Sequence, residues 1–279
     1  MKLENLFKNT PALDERSIHL RRLVLNTLLS AGRGHPGPSL SLIEIMRVLY
    51  DDILDYRAEA PTWKDRDRCI LSKGHGCLAL YAILADKGFF PMEELDTFCG
   101  FDSILGGHPE YGKVPGVEAS TGALGHGLSI GVGFALSARM KKKNWRTFVI
   151  MGDGEINEGS VWEAAMSAAQ HKLSNLIAIV DYNKLQSYGA TTEVIDLEPL
   201  ADKWRSFGFE VFEVDGHNVN ALRPALDGAN QKTDKPVCVI CHTVKGKGIP
   251  VAEFNPMWHH KSKFSVEELA IINNVLGEG

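Results

Sequence analysis

The sequence predicts an α/β fold, a doubly wound and mostly parallel sheet with helices on both faces. Two observations predict it. Short, continuously apolar runs alternate with stretches of helical period, and no repeat or low-complexity tract interrupts them. Strands that are apolar on both faces are typical of parallel sheets covered by helices. With 279 residues, 44% of them apolar, the chain can bury one large core, so we expect a single domain over residues 1–279.

The elements follow one another in the order that this fold requires. Two helical patterns, over 13–30 and 41–54, come first. Apolar runs bounded by turn residues predict five strands, at 68–72, 147–151, 176–181, 209–214 and 237–244. Apolar residues at helical spacing predict the connecting helices, at 77–88, 128–143, 160–172, 197–208 and 218–231. The remaining stretch, 99–127, is glycine-rich and aperiodic, and a connection of that length usually serves a function.

Composition excludes several classes of function. The net charge of −5 and the pI near 6.1 lack the clustered positive charge that favours nucleic acid or an anionic membrane. No signal peptide and no apolar run of membrane-spanning length is present in the sequence. We therefore expect a cytoplasmic protein without nucleic-acid or membrane partners.

The cysteines do not suggest disulfides or a metal site. Their number is five, which is odd, and they are scattered along the chain. Cys238 and Cys241 form a CxxC inside an apolar run, where residues three apart on a strand point to opposite sides. We predict buried strand residues rather than a redox or zinc pair.

Two similar corners carry the strongest chemical signal. Asp153 follows the strand at 147–151, and Asn183 follows the strand at 176–181, one crossover later. Strand-to-helix turns of a doubly wound sheet open on one edge, so we expect both side chains to converge there. Carboxylate and amide oxygens, with phosphate oxygens and water, are typical ligands of Mg²⁺. The GDG turn alone is common in proteins, but the combined arrangement is more specific.

The glycines around the first corner favour an anionic ligand. Gly152 and Gly154 let the backbone approach a diphosphate closely, and Ser160 with Glu163 has the spacing of a capping box at the next helix. Free amides at such a helix start would face an anion.

At this point the sequence resembles a known family. GDG followed by an asparagine some 30 residues later is similar to the thiamine diphosphate motif, and the segment 151–189 resembles the transketolase version of it. Other transketolase-like segments occur in the family's order along nearly the whole chain: GRGHPGPSLSLIEIMRVLY, LSKGHGCLALYAIL, GGHPE, STGALGHGLSIGVGFAL and VDGHN. The resemblance implies the diphosphate-binding domain of the thiamine diphosphate fold.

The resemblance also implies roles for individual residues at the cofactor. Asp153 and Asn183 would bind Mg²⁺, or Ca²⁺ or Mn²⁺ in its place, with the backbone oxygen of Leu185 as a third protein ligand. Glu158 matches an acidic residue that links two cofactor sites across a subunit interface. The residues matched to cofactor binding are His75, Gly122, Ala123, Leu124, Gly152, Asp153, Gly154, Glu155, Glu158, Asn183 and His259.

Histidines in glycine-rich turns match residues that line the family's sugar channel. His35, His108 and His259 would hydrogen-bond substrate hydroxyls and stabilise alkoxide charge. The neighbouring His260 leaves the register at His259 open. His126 stands where many transketolases have glutamine, so a solvated loop residue and a site residue are both open there.

Two further features bear on the site. The KGKG sequence, 245–248, lacks the spacing and the serine or threonine of a P-loop, and we expect a mobile loop over the active site. Arg33 replaces a smaller residue common in the family, which leaves the identity of the substrate open.

The resemblance implies a partner. In the family, a glutamate from a second domain contacts the aminopyrimidine ring, and we expect that domain and the third domain to be absent from this chain. We therefore expect the N-terminal subunit of a split transketolase, assembled as α2β2 with a C-terminal subunit that carries the catalytic glutamate. It would move two-carbon units between sugars or sugar phosphates.

Three alternatives remain at this stage. A related synthase joins pyruvate to glyceraldehyde 3-phosphate with the same cofactor, although GHPG and GGHPE look more like transketolase. A non-catalytic subunit could hold thiamine diphosphate without reacting. A nucleotide-binding Rossmann domain lacks support, because no GxGxxG follows the first strand.

Overall fold

The computed structural model describes residues 10–187, 189–227 and 234–277. Its strands form one five-stranded sheet: β1 (Arg68–Leu71), β2 (Thr147–Gly152), β3 (Leu176–Tyr182), β4 (Glu210–Asp215) and β5 (Val237–His242). The strand order is β1-β2-β3-β5-β4, and every pairing is parallel. The predicted parallel sheet and all five predicted strands are confirmed.

The helices cover both faces of the sheet. They are α1 (Glu15–Ala31), α2 (Pro36–Leu40), α3 (Ile43–Val48), α4 (Cys77–Asp86), α5 (Gly127–Met140), α6 (Gly159–Gln170), α7 (Thr191–Val194), α8 (Leu200–Ser206), α9 (Val219–Leu226) and α10 (Val266–Leu276). Buried residues of α1, α3, α4 and α9 form one apolar cluster with the sheet, and those of α5, α6 and α8 form the other. The fold is therefore doubly wound, as predicted.

The strand residues divide between the two clusters by alternation. Phe148 and Ile150 of β2 belong to the first cluster, whereas Val149 belongs to the second. Cys238 and Cys241 of β5 are both buried, and they lie in different clusters. Because the two thiols are on opposite faces of the sheet, the prediction that this CxxC is a pair of core residues is confirmed.

Several helices differ from the sequence prediction. The helix predicted over 218–231 ends at Leu226, and residues 228–231 lie outside the described part of the chain. The helix Val266–Leu276 was not predicted, although Ser265 and Glu268 form a capping box at its start. Across the described ranges, no helix has the length and apolar character needed to cross a membrane.

Candidate active site

The two predicted corners lie side by side at the carboxyl edge of the sheet. β2 and β3 are neighbours, and Gly152 is paired with Asp181. The carboxylate of Asp153 accepts the N–H of Gly154 at 2.7 Å and the N–H of Lys184, beyond the other corner, at 2.6 Å. One carboxylate thus ties both corners together, and the predicted convergence is confirmed.

The second corner presents two further oxygens. The side-chain oxygen of Asn183 accepts the N–H of Leu185 at 3.1 Å, and its amide nitrogen donates to Asp181 at 3.3 Å. The backbone oxygen of Leu185 accepts a hydrogen bond from the ammonium group of Lys245 at 2.9 Å. A carboxylate, an amide oxygen and a carbonyl oxygen therefore belong to residues of the two adjacent corners.

Two buried lysines complete the corner, and sequence reasoning assigned neither. Lys73 and Lys245 are each 1% exposed. Lys73 forms an ion pair with Asp181, while Lys245 donates to the carbonyls of Leu185 and Gln186. Burial, with Lys73 nearby, lowers the pKa of Lys245 to about 8. Two ammonium groups are therefore fixed by hydrogen bonds beside carboxylate, amide and carbonyl oxygens. This combination is suited to binding an anionic ligand together with a metal ion.

The KGKG segment, for which we expect a mobile loop, holds Lys245 in a packed position. Its side chain is enclosed, and the N–H of Gly246 donates to the carbonyl of Gly37 at 3.1 Å. The sequence signal that could have indicated burial of Lys245 is its position between an apolar strand and a glycine. The sequence alone could not show that partners for its ammonium group lie at the β3 corner.

The donor set fits a divalent cation. Burial, followed by the charge of Asp181, raises the pKa of Asp153 to about 6, so the ionised carboxylate lacks compensation that a cation would supply. In the described part of the chain, no cluster of three or more His, Cys, Asp or Glu could hold a metal ion. An ion at this corner would therefore depend on amide, carbonyl and ligand oxygens as well.

Buried polar atoms without hydrogen-bond partners border the same region. They are Oγ1 of Thr121, Nε2 of Gln186 and Nδ1 of His259. A Cβ on Gly154 would come within 3.1 Å of the Gln186 side chain, and a Cβ on Gly74 within 2.8 Å of the Thr121 hydroxyl. Because buried polar groups are normally satisfied, these atoms are suited to contacting a ligand at the edge of the sheet.

Glu155 has a bracing role in this geometry. Its buried carboxylate accepts the hydroxyl of Ser72 and the N–H groups of Gly125 and Gly152, the last two at 3.0 Å. The side chain joins the turns after β1 and β2 to the loop before α5. Both carboxylate oxygens therefore accept hydrogen bonds from protein donors.

The predicted capping box at Ser160 is wrong. The helix begins at Gly159, and its N-cap residue Glu158 makes no side-chain cap hydrogen bond. The Ser160 hydroxyl donates instead to the carbonyl of Gly125 at 2.9 Å. Ser160 forms a tertiary hydrogen bond with the glycine-rich loop in place of the predicted capping box. Its side chain therefore stabilises the loop rather than the start of the helix.

The glycine-rich loop also places the residues matched by resemblance. Gly122 has φ of +139°, and a Cβ there would lie 3.0 Å from the ring of His108. Ala123, Leu124 and Glu158 are exposed. A side chain at residue 122 would displace His108, whereas the three exposed residues are open to a ligand or another protein chain.

Five histidines form one cluster beside the corners. The ring centroid of His35 lies 5.7 Å from that of His75, 6.2 Å from His108, 5.5 Å from His259 and 4.7 Å from His260. These residues come from four distant segments of the chain. The structure thus brings together all the histidines that the sequence assigned to the cofactor and the sugar channel.

The surroundings of His259 and His260 show which of the two lies further inside the histidine cluster. His259 also contacts His75, with centroids 5.3 Å apart, and its Nε2 lies 3.1 Å from the hydroxyl of Ser187. His260 is exposed, and its one ring contact among the described residues is with His35. His259 is therefore the inner residue. His126 is exposed at the start of α5 and has no ring contact with the cluster among the described residues.

Burial favours the neutral form of four of the clustered imidazoles, those of His35, His75, His108 and His259. Burial, together with the nearby His260, lowers the pKa of His35 to about 4, and burial with Lys245 lowers that of His259 to about 3. Burial also lowers the pKa of His75 and of His108. A neutral imidazole offers one donor and one acceptor, which suits it to binding hydroxyl groups.

Comparison with known proteins agrees with this geometry. Residues 14–278 match the family described as transketolase, thiamine diphosphate binding domain. A protein of Phocaeicola vulgatus, named as one of the subunits of an apulose-4-phosphate transketolase, is 44% identical over 248 residues, which cover 89% of this chain and 88% of that protein. The 6-deoxy-6-sulfo-D-fructose transketolase subunit SqwG of a Clostridium species is 42% identical over 248 residues, 89% of this chain and 90% of the relative.

Longer relatives are matched over one part of their length. The transketolase of Pongo abelii is 36% identical over 251 residues, which cover 90% of this chain and 40% of that protein. A transketolase structure from Leishmania mexicana superimposes with a TM-score of 0.88 and 31% identity, covering 96% of this chain and 42% of the other. The chain belongs to the transketolase thiamine diphosphate binding domain family.

Proposed function

We propose that this chain is the diphosphate-binding subunit of a two-chain transketolase that transfers a two-carbon ketol unit from a ketose to an aldose. The observation that carries the proposal is the paired corner of Asp153 and Asn183 with two buried lysines beside it. Relatives that are themselves named as transketolase subunits are covered over 88% and 90% of their own length, which supports a second, separate chain.

Metal and diphosphate would be held at the corners. Asp153, Asn183 and the backbone oxygen of Leu185 would bind Mg²⁺, for which Ca²⁺ or Mn²⁺ could substitute. Gly154, the amides after it and His75 would contact the diphosphate, and the loop 122–124 would lie under the cofactor. Thiamine diphosphate, when bound, supplies a carbon nucleophile and an electron sink for breaking the bond next to a carbonyl group.

The histidine cluster would bind the sugar. His35, His108 and His259 are neutral at pH 7, so they can hydrogen-bond sugar hydroxyls without a strong preference for an anion. A neutral imidazole that donates its N–H also stabilises negative charge developing on an alkoxide oxygen. The same ring can then return a proton to that oxygen.

The partner chain would supply the remaining chemistry. We propose a C-terminal subunit whose glutamate contacts the aminopyrimidine ring, in an α2β2 assembly in which Glu158 lies near the subunit interface. The relatives act on apulose 4-phosphate and 6-deoxy-6-sulfo-D-fructose according to their names. We propose sugar or sugar-phosphate substrates for this chain, and the cytoplasm as the compartment.

Co-purification from the native source tests the assembly and the reaction together. The chain should bring down a second polypeptide, and the complex should transfer a two-carbon unit from a ketose phosphate to an aldose in Mg²⁺ and thiamine diphosphate. Transfer by this chain alone would contradict the requirement for a partner. Turnover of pyruvate with glyceraldehyde 3-phosphate, without ketose turnover, would favour the synthase alternative. Full activity of an Asp153→Ala complex would favour a non-catalytic role for this chain.

A further inference from the structure

Three buried ionisable side chains outside the active site form hydrogen bonds with one another. Arg21 of α1, Glu44 of α3 and His217, which follows β4, are 0%, 1% and 2% exposed. Arg21 forms two hydrogen bonds with the Glu44 carboxylate, at 2.6 and 3.0 Å, and Nδ1 of His217 lies 2.8 Å from the same carboxylate. The three side chains thus form one continuous row.

Both ends of this row hold the same short segment, 244–248. Nε2 of His217 accepts the N–H of Val244 at 2.8 Å, and Nε of Arg21 donates to the carbonyl of Lys247 at 2.9 Å. Because Nε2 of His217 is an acceptor, the proton of the neutral ring is on Nδ1 and is donated to Glu44. The row is therefore a clamp with one contact on each side of Lys245.

The glycine at the end of the segment is shaped to this clamp. Gly248 has φ of +93°, and a Cβ at that position would lie 2.7 Å from Nε of Arg21. A side chain there would push against the guanidinium group. The segment 244–248 therefore contacts the buried row in two ways: its backbone forms hydrogen bonds with the row, and Gly248 leaves the space that the Arg21 side chain occupies.

The side chain of Lys245, which lies in the sequence between Val244 and Lys247, contacts the corner that follows β3. Its ammonium group donates to the carbonyls of Leu185 and Gln186, at 2.9 and 3.2 Å. A lysine side chain has several rotatable bonds, and its position is defined only when its backbone is fixed. The hydrogen bonds at Val244 and Lys247 provide that restraint.

We propose that Arg21, Glu44 and His217 are positioning residues that act through Lys245, holding its ammonium group at the corner formed by Asn183 and Leu185. Among the described residues, the hydrogen bonds of these three side chains go to partners other than Asn183 and Leu185. Their effect on the ligand would come through the position of the Lys245 ammonium group. This inference rests on the proposed function, because the ligand at the corner is thiamine diphosphate with Mg²⁺. The charge of Glu44 is compensated within the row. Burial alone would raise the pKa of Glu44, but Arg21 and His217 have a larger and opposite effect, so the pKa of this carboxyl is lowered.

The test separates positioning from general stability by using two substitutions of one residue. In His217→Asn, the amide can still donate to Glu44 but cannot reach the N–H of Val244. In His217→Gln, the longer side chain keeps an acceptor near the place of Nε2. Binding of thiamine diphosphate in saturating Mg²⁺ is measured by calorimetry on the complex with its co-purifying partner. We expect His217→Asn to weaken binding about 10-fold and His217→Gln to weaken it less than about 3-fold.

A double-mutant cycle with Lys245→Met decides whether the row acts through Lys245. In the Lys245→Met background, His217→Asn should weaken binding by less than about 2-fold further, because the group that it positions is already gone. An equal loss in both backgrounds would overturn the proposal, as would wild-type affinity in His217→Asn. If the unsubstituted complex binds no thiamine diphosphate, the proposed function fails instead.

Two further variants guard against loss of folding. Gly248→Ala disturbs the clamp from the segment side and leaves the buried row chemically intact, and it should show the same dependence on Lys245. Leu173→Ala removes buried apolar atoms from the other face of the sheet. It should lower the thermal midpoint without weakening binding, and weakening as large as that of His217→Asn would overturn the proposal.

Discussion

The two corners and the histidine cluster lie beside one another but are built in different ways. The corners come from neighbouring strands, and the register that pairs Gly152 with Asp181 already places Asp153 against Lys184. The cluster draws its rings from segments around residues 35, 75, 108 and 259. Regular strand pairing therefore sets the first region, whereas long-range loop packing sets the second. We expect substitutions to separate anchoring of the cofactor from handling of the sugar.

The largest effect is expected at the corner, for Asp153→Asn. The substitution keeps the shape of the side chain and removes the charge that would bind the metal, so affinity for thiamine diphosphate in Mg²⁺ should fall at least about 100-fold. Folding should persist, because removal of a buried charge, whose burial raises the pKa of Asp153 to about 6, offsets the loss of an acceptor for one of the N–H groups of Gly154 and Lys184. Calorimetry for binding and thermal unfolding for stability measure the two quantities on the assembled complex.

The exposed carboxylate of Asp202, in α8, provides the matched control. Asp202→Asn removes the same charge from an exposed side chain that pairs with Arg205, and cofactor affinity should stay within about 2-fold of the unsubstituted value. Unchanged binding in Asp153→Asn would remove the basis for a metal at the corner.

A smaller effect is expected in the cluster, for His108→Asn. The ring is at the outer side of the cluster, 6.2 Å from His35, and it would meet the sugar rather than the diphosphate. Loss of one hydrogen bond to developing alkoxide charge should lower kcat/KM about 10- to 100-fold. Cofactor affinity should change less than about 3-fold, which is the opposite pattern to Asp153→Asn.

Steady-state kinetics of ketose turnover, with the cofactor titrated separately, distinguish the two patterns. His171→Asn alters an exposed histidine at the end of α6 and should leave both quantities unchanged. A fall in cofactor affinity that accounts for the whole loss in His108→Asn would show that the two regions act as one.

The same contrast explains what the sequence could predict. Continuously apolar runs between helical stretches were sufficient to predict the sheet, and the period of two along a strand placed Cys238 and Cys241 on opposite faces. The convergence of Asp153 and Asn183 followed from one rule about strand ends. The histidines had no such rule, because nothing local relates His35 to His259, and their grouping came from resemblance to a family.

The buried lysines show where sequence reasoning failed. A lysine in a glycine-containing loop is normally solvated, and its burial requires partners that only the fold brings near. Asp181 supplies that partner for Lys73, and the carbonyls beyond Asn183 supply it for Lys245. The capping box predicted at Ser160 was wrong for the same reason, because the hydroxyl of Ser160 donates to the carbonyl of Gly125 and not to its own helix.

The smallest expected effect is on the pH dependence of stability, measured as the difference that one clustered histidine makes. Burial lowers the pKa of His35 to about 4, whereas an unfolded histidine titrates near 6.5. Between these two values the unfolded state binds more protons at His35, so the contribution of this residue to the free energy of unfolding should fall as the pH falls from 6.5 to 4. His35→Asn removes one such group and relieves charge repulsion on its neighbours, so acidification should cost the variant less stability.

Urea unfolding at pH 7, 6, 5 and 4, with a chelator and without cofactor, measures this slope. Leu173→Ala controls for general destabilisation, because it lowers stability without removing an imidazole, and its midpoint should keep the pH dependence of the unsubstituted chain. If His35→Asn instead lost stability on acidification as steeply as the unsubstituted chain, the ring would be titrating as it does in water. The cluster would then be a solvated surface, and only the corners would remain as a site built into the fold.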